Sequence, residues 1–235
     1  MSKLAVITGV GGVLGRACAK ALAENDWLVA GGGRTEPQTP VEGLSFFVQM
    51  DVRENSSIKD GFHAIQTQTG MPATLFIHAA GVTRDSLIVR QETPDWDDLL
   101  AAHLRGAWLC AKAVWPGMVQ AGGGQVLLVS SHAAHLGGVG QSAYAAAKAG
   151  MIGLAHSLAR EGASSNIRVN TLCPGVLQSP MTAVLEPGQR ERLLEANLLK
   201  RFNDPDEVSS FVVWLAASRQ VSCQIFYLDS RPLPW

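Results

Sequence analysis

The chain has 235 residues, 47% of them apolar and 17% charged, with a formal net charge of −1. That size and balance suit a protein with a large buried core and leave no field to gather nucleic acid; no basic stripe is present. No uninterrupted apolar stretch reaches the ~18–20 residues of a membrane span, and Met1-Ser2-Lys3 followed by a strand lacks the features of a secretory signal. The four cysteines, Cys18, Cys110, Cys173 and Cys223, are scattered without metal-ligand spacing. They read as buried reduced thiols of a cytoplasmic protein.

The first apolar run, Leu4–Thr8, reads as a strand and runs into the turn Gly9-Val10-Gly11-Gly12-Val13-Leu14-Gly15. A helix follows over Val13–Asn25. Glycines between a strand and a helix let the backbone approach a pyrophosphate, and the helix N-terminus supplies free N–H donors. The second strand, Trp27–Gly31, ends in Gly32-Gly33-Arg34. An acidic residue at that place accepts from the hydroxyls of an unphosphorylated ribose. Arg34 in its stead matches a 2′-phosphate, which predicts NADP(H) as the cofactor.

The link to the third strand, Ser45–Gln49, contains Pro37, Pro40 and Gly43, so a full crossover helix is not expected there. Asp51-Val52 follows the third strand and Ala80-Gly81 follows the fourth, Thr74–His78, both at carboxyl ends where open α/β sheets bind ligands. Helices are predicted over Ser56–Thr69 and Asp95–Gln120. The fifth strand, Gln125–Ser130, is almost wholly apolar, as expected of a strand covered on both faces.

Ser131 ends that strand, and thirteen residues later Tyr144 opens Tyr-Ala-Ala-Ala-Lys on a helix predicted over Ser142–Gly162. Positions 144 and 148 share one helix face. A free tyrosine titrates near ~10, so an ammonium beside it is needed to favour phenolate. Tyr144 would then pass a proton to or from a carbonyl oxygen that Ser131 orients, while Lys148 also reaches the nicotinamide ribose. The sixth strand, Arg168–Leu172, leads to a helical insertion at Gln178–Lys200, the helix Pro205–Ala217 and the seventh strand, Gln224–Leu228. Alternating strands and helices with right-handed crossovers predict a single doubly wound Rossmann domain, a seven-stranded parallel sheet with helices on both faces.

These residues resemble the short-chain dehydrogenase/reductase family along almost the whole chain. The similarity is greatest to 3-oxoacyl-acyl-carrier-protein reductases, through Ala80-Gly81-Val82-Thr83-Arg84-Asp85, Tyr144-Ala145-Ala146-Ala147-Lys148-Ala149-Gly150 and Arg168-Val169-Asn170 with Cys173-Pro174-Gly175. The resemblance implies that Tyr144 is the acid/base, that Ser131 orients the carbonyl and that Lys148 binds ribose and lowers the tyrosine's pKa. It also assigns Leu177 and Ser179, beside Pro174 and Gly175, to the nicotinamide carboxamide, Asp51 to adenine, and Ala79 to the cofactor wall. A 3-oxoacyl thioester or small carbonyl substrate, an acyl carrier protein and assembly into homodimers or tetramers come with it.

The departures are specific. Val13 replaces the middle glycine of the family's Thr-Gly-x-x-x-Gly-x-Gly, where a branched side chain crowds the pyrophosphate unless Gly11 and Gly12 let the loop shift. His78-Ala79 replaces two asparagines whose amides brace the sheet. His103 stands where the family's fourth catalytic residue, an asparagine, holds a water in the proton relay. Either the imidazole keeps that relay, with altered geometry and pH response, or it only fills a helix irregularity. The stretches 120–125 and 163–166 lack the basic residues that dock an acidic carrier, so steering of such a partner is expected to be weak. Cys223 stands where glycine is usual, and Asp229 through Trp235 replace a Gly-Gly tail. These losses keep open a weakly active, reductase-like subunit that serves as a binding or structural partner.

Overall fold

Alternate residues of the first strand face opposite layers. Leu4 and Val6 pack with one set of helices, Ala5 and Ile7 with another, as the period of two dictates. The computed structural model describes residues 3–232. Met1-Ser2 and Leu233-Pro234-Trp235, both singled out in the sequence, lie outside the described residues.

Strands β1 (Lys3–Thr8), β2 (Trp27–Gly33), β3 (Phe46–Gln49), β4 (Leu75–His78), β5 (Gly124–Val129), β6 (Ile167–Cys173) and β7 (Ile225–Tyr227) form one sheet in the order β3-β2-β1-β4-β5-β6-β7. All six pairings are parallel. Helices α1 (Val13–Ala23) and α9 (Pro205–Ala217) cover one face through Leu14, Cys18, Leu22, Val208, Val212 and Leu215. The other face is covered by α2 (Asn55–Thr69), α4 (Gly106–Gln120) and α6 (Ser142–Gly162), through Ile58, Ile65, Cys110, Met118, Met151 and Ala155. The chain leaves β1 toward β2 and returns at β4 on its other side, which opens a crevice above the carboxyl ends of β1 and β4. The expected Rossmann architecture is present. Among the described residues, no helix is long and apolar enough to cross a membrane.

The link between β2 and β3 contains no helix. It is bound instead to α1: the Arg16 guanidinium donates to the carbonyls of Gly11 (3.0 Å), Pro40 (3.0 Å) and Thr39 (3.2 Å). Gly43, at φ +78°, lies so close to α1 that a Cβ would come within 2.6 Å of the Ala19 carbonyl.

The region expected as one helix over Asp95–Gln120 is broken. It begins as α3 (Thr93–Leu100), passes through a π-turn at Ala101–Arg105 and resumes as α4. Such a turn accommodates one extra residue within a helix, and His103 sits at its centre. The segment 178–200 carries two short helices, α7 (Pro180–Ala183) and α8 (Pro187–Glu195). Its base is closed by Gln178 N–H donating to Asn203 O (2.9 Å) and Asn203 N–H donating to Val176 O (2.8 Å).

Candidate active site

Gly9 turns the chain out of β1 with φ +72°, and a Cβ there would lie 2.7 Å from the Ala80 backbone. The glycine turn and the strand end Ala79-Ala80-Gly81 therefore meet with no room for a side chain between them. Gly15 is packed under the same turn, where a Cβ would come within 2.5 Å of the Gly9 carbonyl. Val10 is buried against Gly31, whereas Gly11 and Gly12 are exposed. Among the described residues the N–H groups of Val13, Leu14 and Gly15 make no backbone hydrogen bond. Those donors at the start of α1 suit a diphosphate. Val13 is half-buried, and Gly11 and Gly12 just before it are exposed. The residues present fit a dinucleotide.

A cleft at the β2 end is lined by Gly9, Gly33, Arg34, Asp51, Val52 and Gly81. Arg34 is exposed and its guanidinium has no ion-pair partner among the described residues. Asp51, expected at the adenine, is also engaged by a neighbouring side chain. Its carboxylate accepts from the Arg53 N–H (3.0 Å), Nε (3.0 Å) and Nη2 (2.6 Å). These bonds hold Asp51 below the usual carboxylate range against the opposing effect of burial. Arg53 reaches on to Asp98 at 2.5 Å, fastening the start of α2 to α3. Nothing in the local sequence distinguished Arg53 from a solvated surface residue.

At the other end of the crevice, Ser131, Tyr144 and Lys148 converge. The Ser131 hydroxyl lies beside the Tyr144 phenol and favours its ionised form, yet burial outweighs this and raises the phenol's pKa. Lys148 is 5% exposed. Its Nζ sits 5.6 Å from the centre of the Tyr144 ring and donates to the Val129 carbonyl at 2.7 Å. Burial lowers the Lys148 pKa to about 8. The ammonium thus lies beside the aromatic ring and is anchored to β5. The Ser130 hydroxyl, donating to the Lys148 carbonyl at 2.8 Å, fixes α6 to the same strand.

His103 is 3% exposed and its ring meets Tyr144 edge-on, with centroids 5.3 Å apart. Its Nε2 meets the Val82 backbone, 2.8 Å from the carbonyl and 3.2 Å from the N–H. Burial, then the charge of Lys148, lowers its pKa to about 4, so the ring is neutral at pH 7. Its Nδ1 is buried without a partner among the described residues. A Cβ on Gly81 would overlap the imidazole. His103 therefore forms part of the crevice wall.

His78 replaces the missing amide brace. Its Nδ1 lies 3.0 Å from Thr8 Oγ1, joining β4 to β1 at full burial. Leu177 is half-buried against the core on the α1 and α9 side. Ser179 caps α7, its Oγ accepting from Thr182 N–H at 3.1 Å. Pro174 and Gly175, at φ +75°, turn the chain over Asp229. The neighbours His132, Asp229 and Arg231, absent from the expected set, make a buried polar cluster there. The only local signal for His132 was its adjacency to Ser131.

Comparison with known proteins gives a consistent result. The family model described as short chain dehydrogenase matches residues 3–190. The chain is 33% identical over 228 residues to a 3-oxoacyl-acyl-carrier-protein reductase of Staphylococcus epidermidis, covering 93% of each chain. It is 34% identical to the reductase of the same name from Vibrio harveyi, over 92% of this chain and 90% of that one. It is 33% identical to carbonyl reductase family member 4 of Xenopus laevis, over 97% of both.

Proposed function

Because this chain belongs to the short chain dehydrogenase family and is an oxidoreductase, we propose that it is an NADP(H)-dependent reductase of a 3-oxoacyl thioester, carried on acyl carrier protein or coenzyme A. The observation that carries this reading is the convergence of Ser131, Tyr144 and Lys148 at the carboxyl end of β5, on the same side of the parallel sheet as the glycine turn. Similarity to reductases named for 3-oxoacyl-acyl-carrier-protein supports the substrate class. The carbonyl reductase relative supports the alternative of another small ketone or alcohol.

NADPH, when bound, supplies the hydride. Residues 9–15, Asp51-Val52 and Ala79 through Gly81 would hold it, with Arg34 on the 2′-phosphate and Pro174, Gly175, Leu177 and Ser179 at the nicotinamide end. Tyr144 is protonated at neutral pH because burial raises its pKa, so it is ready to donate to the substrate oxygen. The Ser131 hydroxyl orients that oxygen. Lys148, with a pKa lowered to about 8, is poised to return a proton to the phenol. Neutral His103 packs edge-on against the Tyr144 ring on the same wall. The segment 178–200 covers the substrate. Exposed Leu87, Ile88, Val89, Leu136 and Val139 lie on the loops after β4 and β5, which are joined by Ser86 N–H donating to Gly140 O at 2.9 Å. That apolar rim suits an acyl chain.

The direct test is turnover of a 3-oxoacyl thioester with NADPH. Tyr144→Phe is expected to lower kcat by about 10²-fold or more while retaining NADPH binding; normal turnover would eliminate the mechanism. Arg34→Ala should weaken NADPH about tenfold to a hundredfold and leave NADH almost unaffected. Equal losses with both cofactors would remove Arg34 from the 2′-phosphate. A second reading, a reductase-like subunit of low activity, draws on the engagement of Asp51 by Arg53. Failure of calorimetry to detect NADPH binding would favour it.

A further inference from the structure

We propose that Asp229 is a positioning residue that holds two walls of the crevice in register: the turn that carries Ser131 and the loop Pro174-Gly175. The inference rests on the reductase reading above and extends it to the segment that follows β7. The Asp229 side chain is 1% exposed. A buried carboxylate is tolerated only where its oxygens are satisfied. Here Oδ2 accepts from Arg231 Nε at 2.7 Å and Oδ1 from the Arg231 N–H at 2.9 Å. On its other side Oδ1 lies 2.7 Å from His132 Nε2, in a contact bent away from the ring N–H direction.

His132 directly follows Ser131. The Ser131 hydroxyl accepts from the Ala133 N–H at 3.2 Å, so the histidine belongs to the turn that aims this hydroxyl. On the opposite wall, a Cβ at Gly175 would lie 2.6 Å from Asp229 Cβ and 2.7 Å from Oδ2. The loop therefore rests directly on the carboxylate. Asn203 Nδ2 adds a second tie, donating to the Pro174 carbonyl at 2.8 Å and also to the Leu228 carbonyl. The Tyr227 ring packs between His132 and His135, with centroids 5.3 and 5.4 Å away. One carboxylate thus sits between a hydroxyl-bearing turn and a cofactor-bordering loop that are more than forty residues apart in the chain.

Such a role predicts a loss confined to one end of the cofactor. Two probes separate the ends: NADPH, and 2′-phospho-ADP-ribose, which lacks the nicotinamide. Asp229→Asn in the full chain is expected to weaken NADPH about tenfold and to lower kcat about tenfold. Affinity for 2′-phospho-ADP-ribose should stay within about twofold of wild type. His132→Gln should act in the same direction, and adding it to Asp229→Asn should cost little more, as expected of coupled neighbours. Equal weakening of both probes would show a general structural defect and overturn the proposal, as would an unchanged affinity ratio. Should Asp229→Asn fail to fold, His132→Gln carries the same two-probe comparison. Wild-type protein that binds neither nucleotide would sink the reductase reading itself; wild-type binding of both with an unchanged ratio in the variants sinks only the positioning role.

Discussion

At the scale of single residues, the substitutions that set this chain apart are matched by their surroundings. His103 has the room of an absent side chain at Gly81, and its Nε2 is occupied by the Val82 backbone. Gly81→Ala is therefore expected to displace the imidazole and reduce turnover about tenfold or more, whereas Gly81→Ala combined with His103→Ala should recover fold stability, read as the melting temperature. Additive stability losses would show that the two sites are independent. Cys223, at φ +63°, occupies a left-handed position, which explains why glycine is the usual residue there. The pairing of phenol and ammonium was legible from spacing, because a helix fixes residues four apart on one face; the hydroxyl of Ser131, off that helix, needed its place at a strand end. What Lys148 touches was not legible, since Val129 is contributed by a strand nineteen residues earlier. The pairing of Asp51 with Arg53 was equally hidden, because a carboxylate two residues from an arginine is as often solvated as paired.

Elements carry the next level of consequence. The strands were readable because covered strands are apolar throughout, and the helices over Ser142–Gly162 and Pro205–Ala217 were bounded by clear signals such as Pro at a first turn. The π-turn had no such signal; His103 at its centre docks on the loop after β4. Buried histidines also tie elements to pH. His78 joins β1 to β4 with a pKa lowered to about 3, first by burial and then by Lys148, and His103 is lowered to about 4. Both stay neutral in the folded chain while an unfolded histidine binds a proton near ~6.5. The stability they contribute is thus complete above pH ~6.5 and is lost as pH falls toward their folded values, at about 1.4 kcal/mol per unit for each group. Urea melts between pH 6.5 and 4.5 should show this decline, and His78→Gln should flatten it by about 2 kcal/mol or more over that range. An unchanged slope would mean that His78 is already protonated in the folded state.

For the whole molecule, the parallel sheet places every strand's carboxyl end on one side, where the loops that follow the strands gather. On the helical flank, Trp108 is 43% exposed and neighbours Leu104, Arg105 and Leu154 in a surface hollow formed by α4, α6 and the π-turn. We propose this patch as a contact between copies of the chain. Trp108→Glu is expected to reduce the apparent mass in light scattering from a dimer or tetramer toward a smaller species. No change in mass would overturn that assignment of Trp108. The extra residue at 101–105 links this flank to the crevice. Each residue turns a helix by roughly 100°, so deleting one there would swing Trp108 around its axis while removing the bulge that aims His103. A one-codon deletion would then cost the imidazole its aim and the tryptophan its outward face together, so chemistry and self-association would drift as a pair.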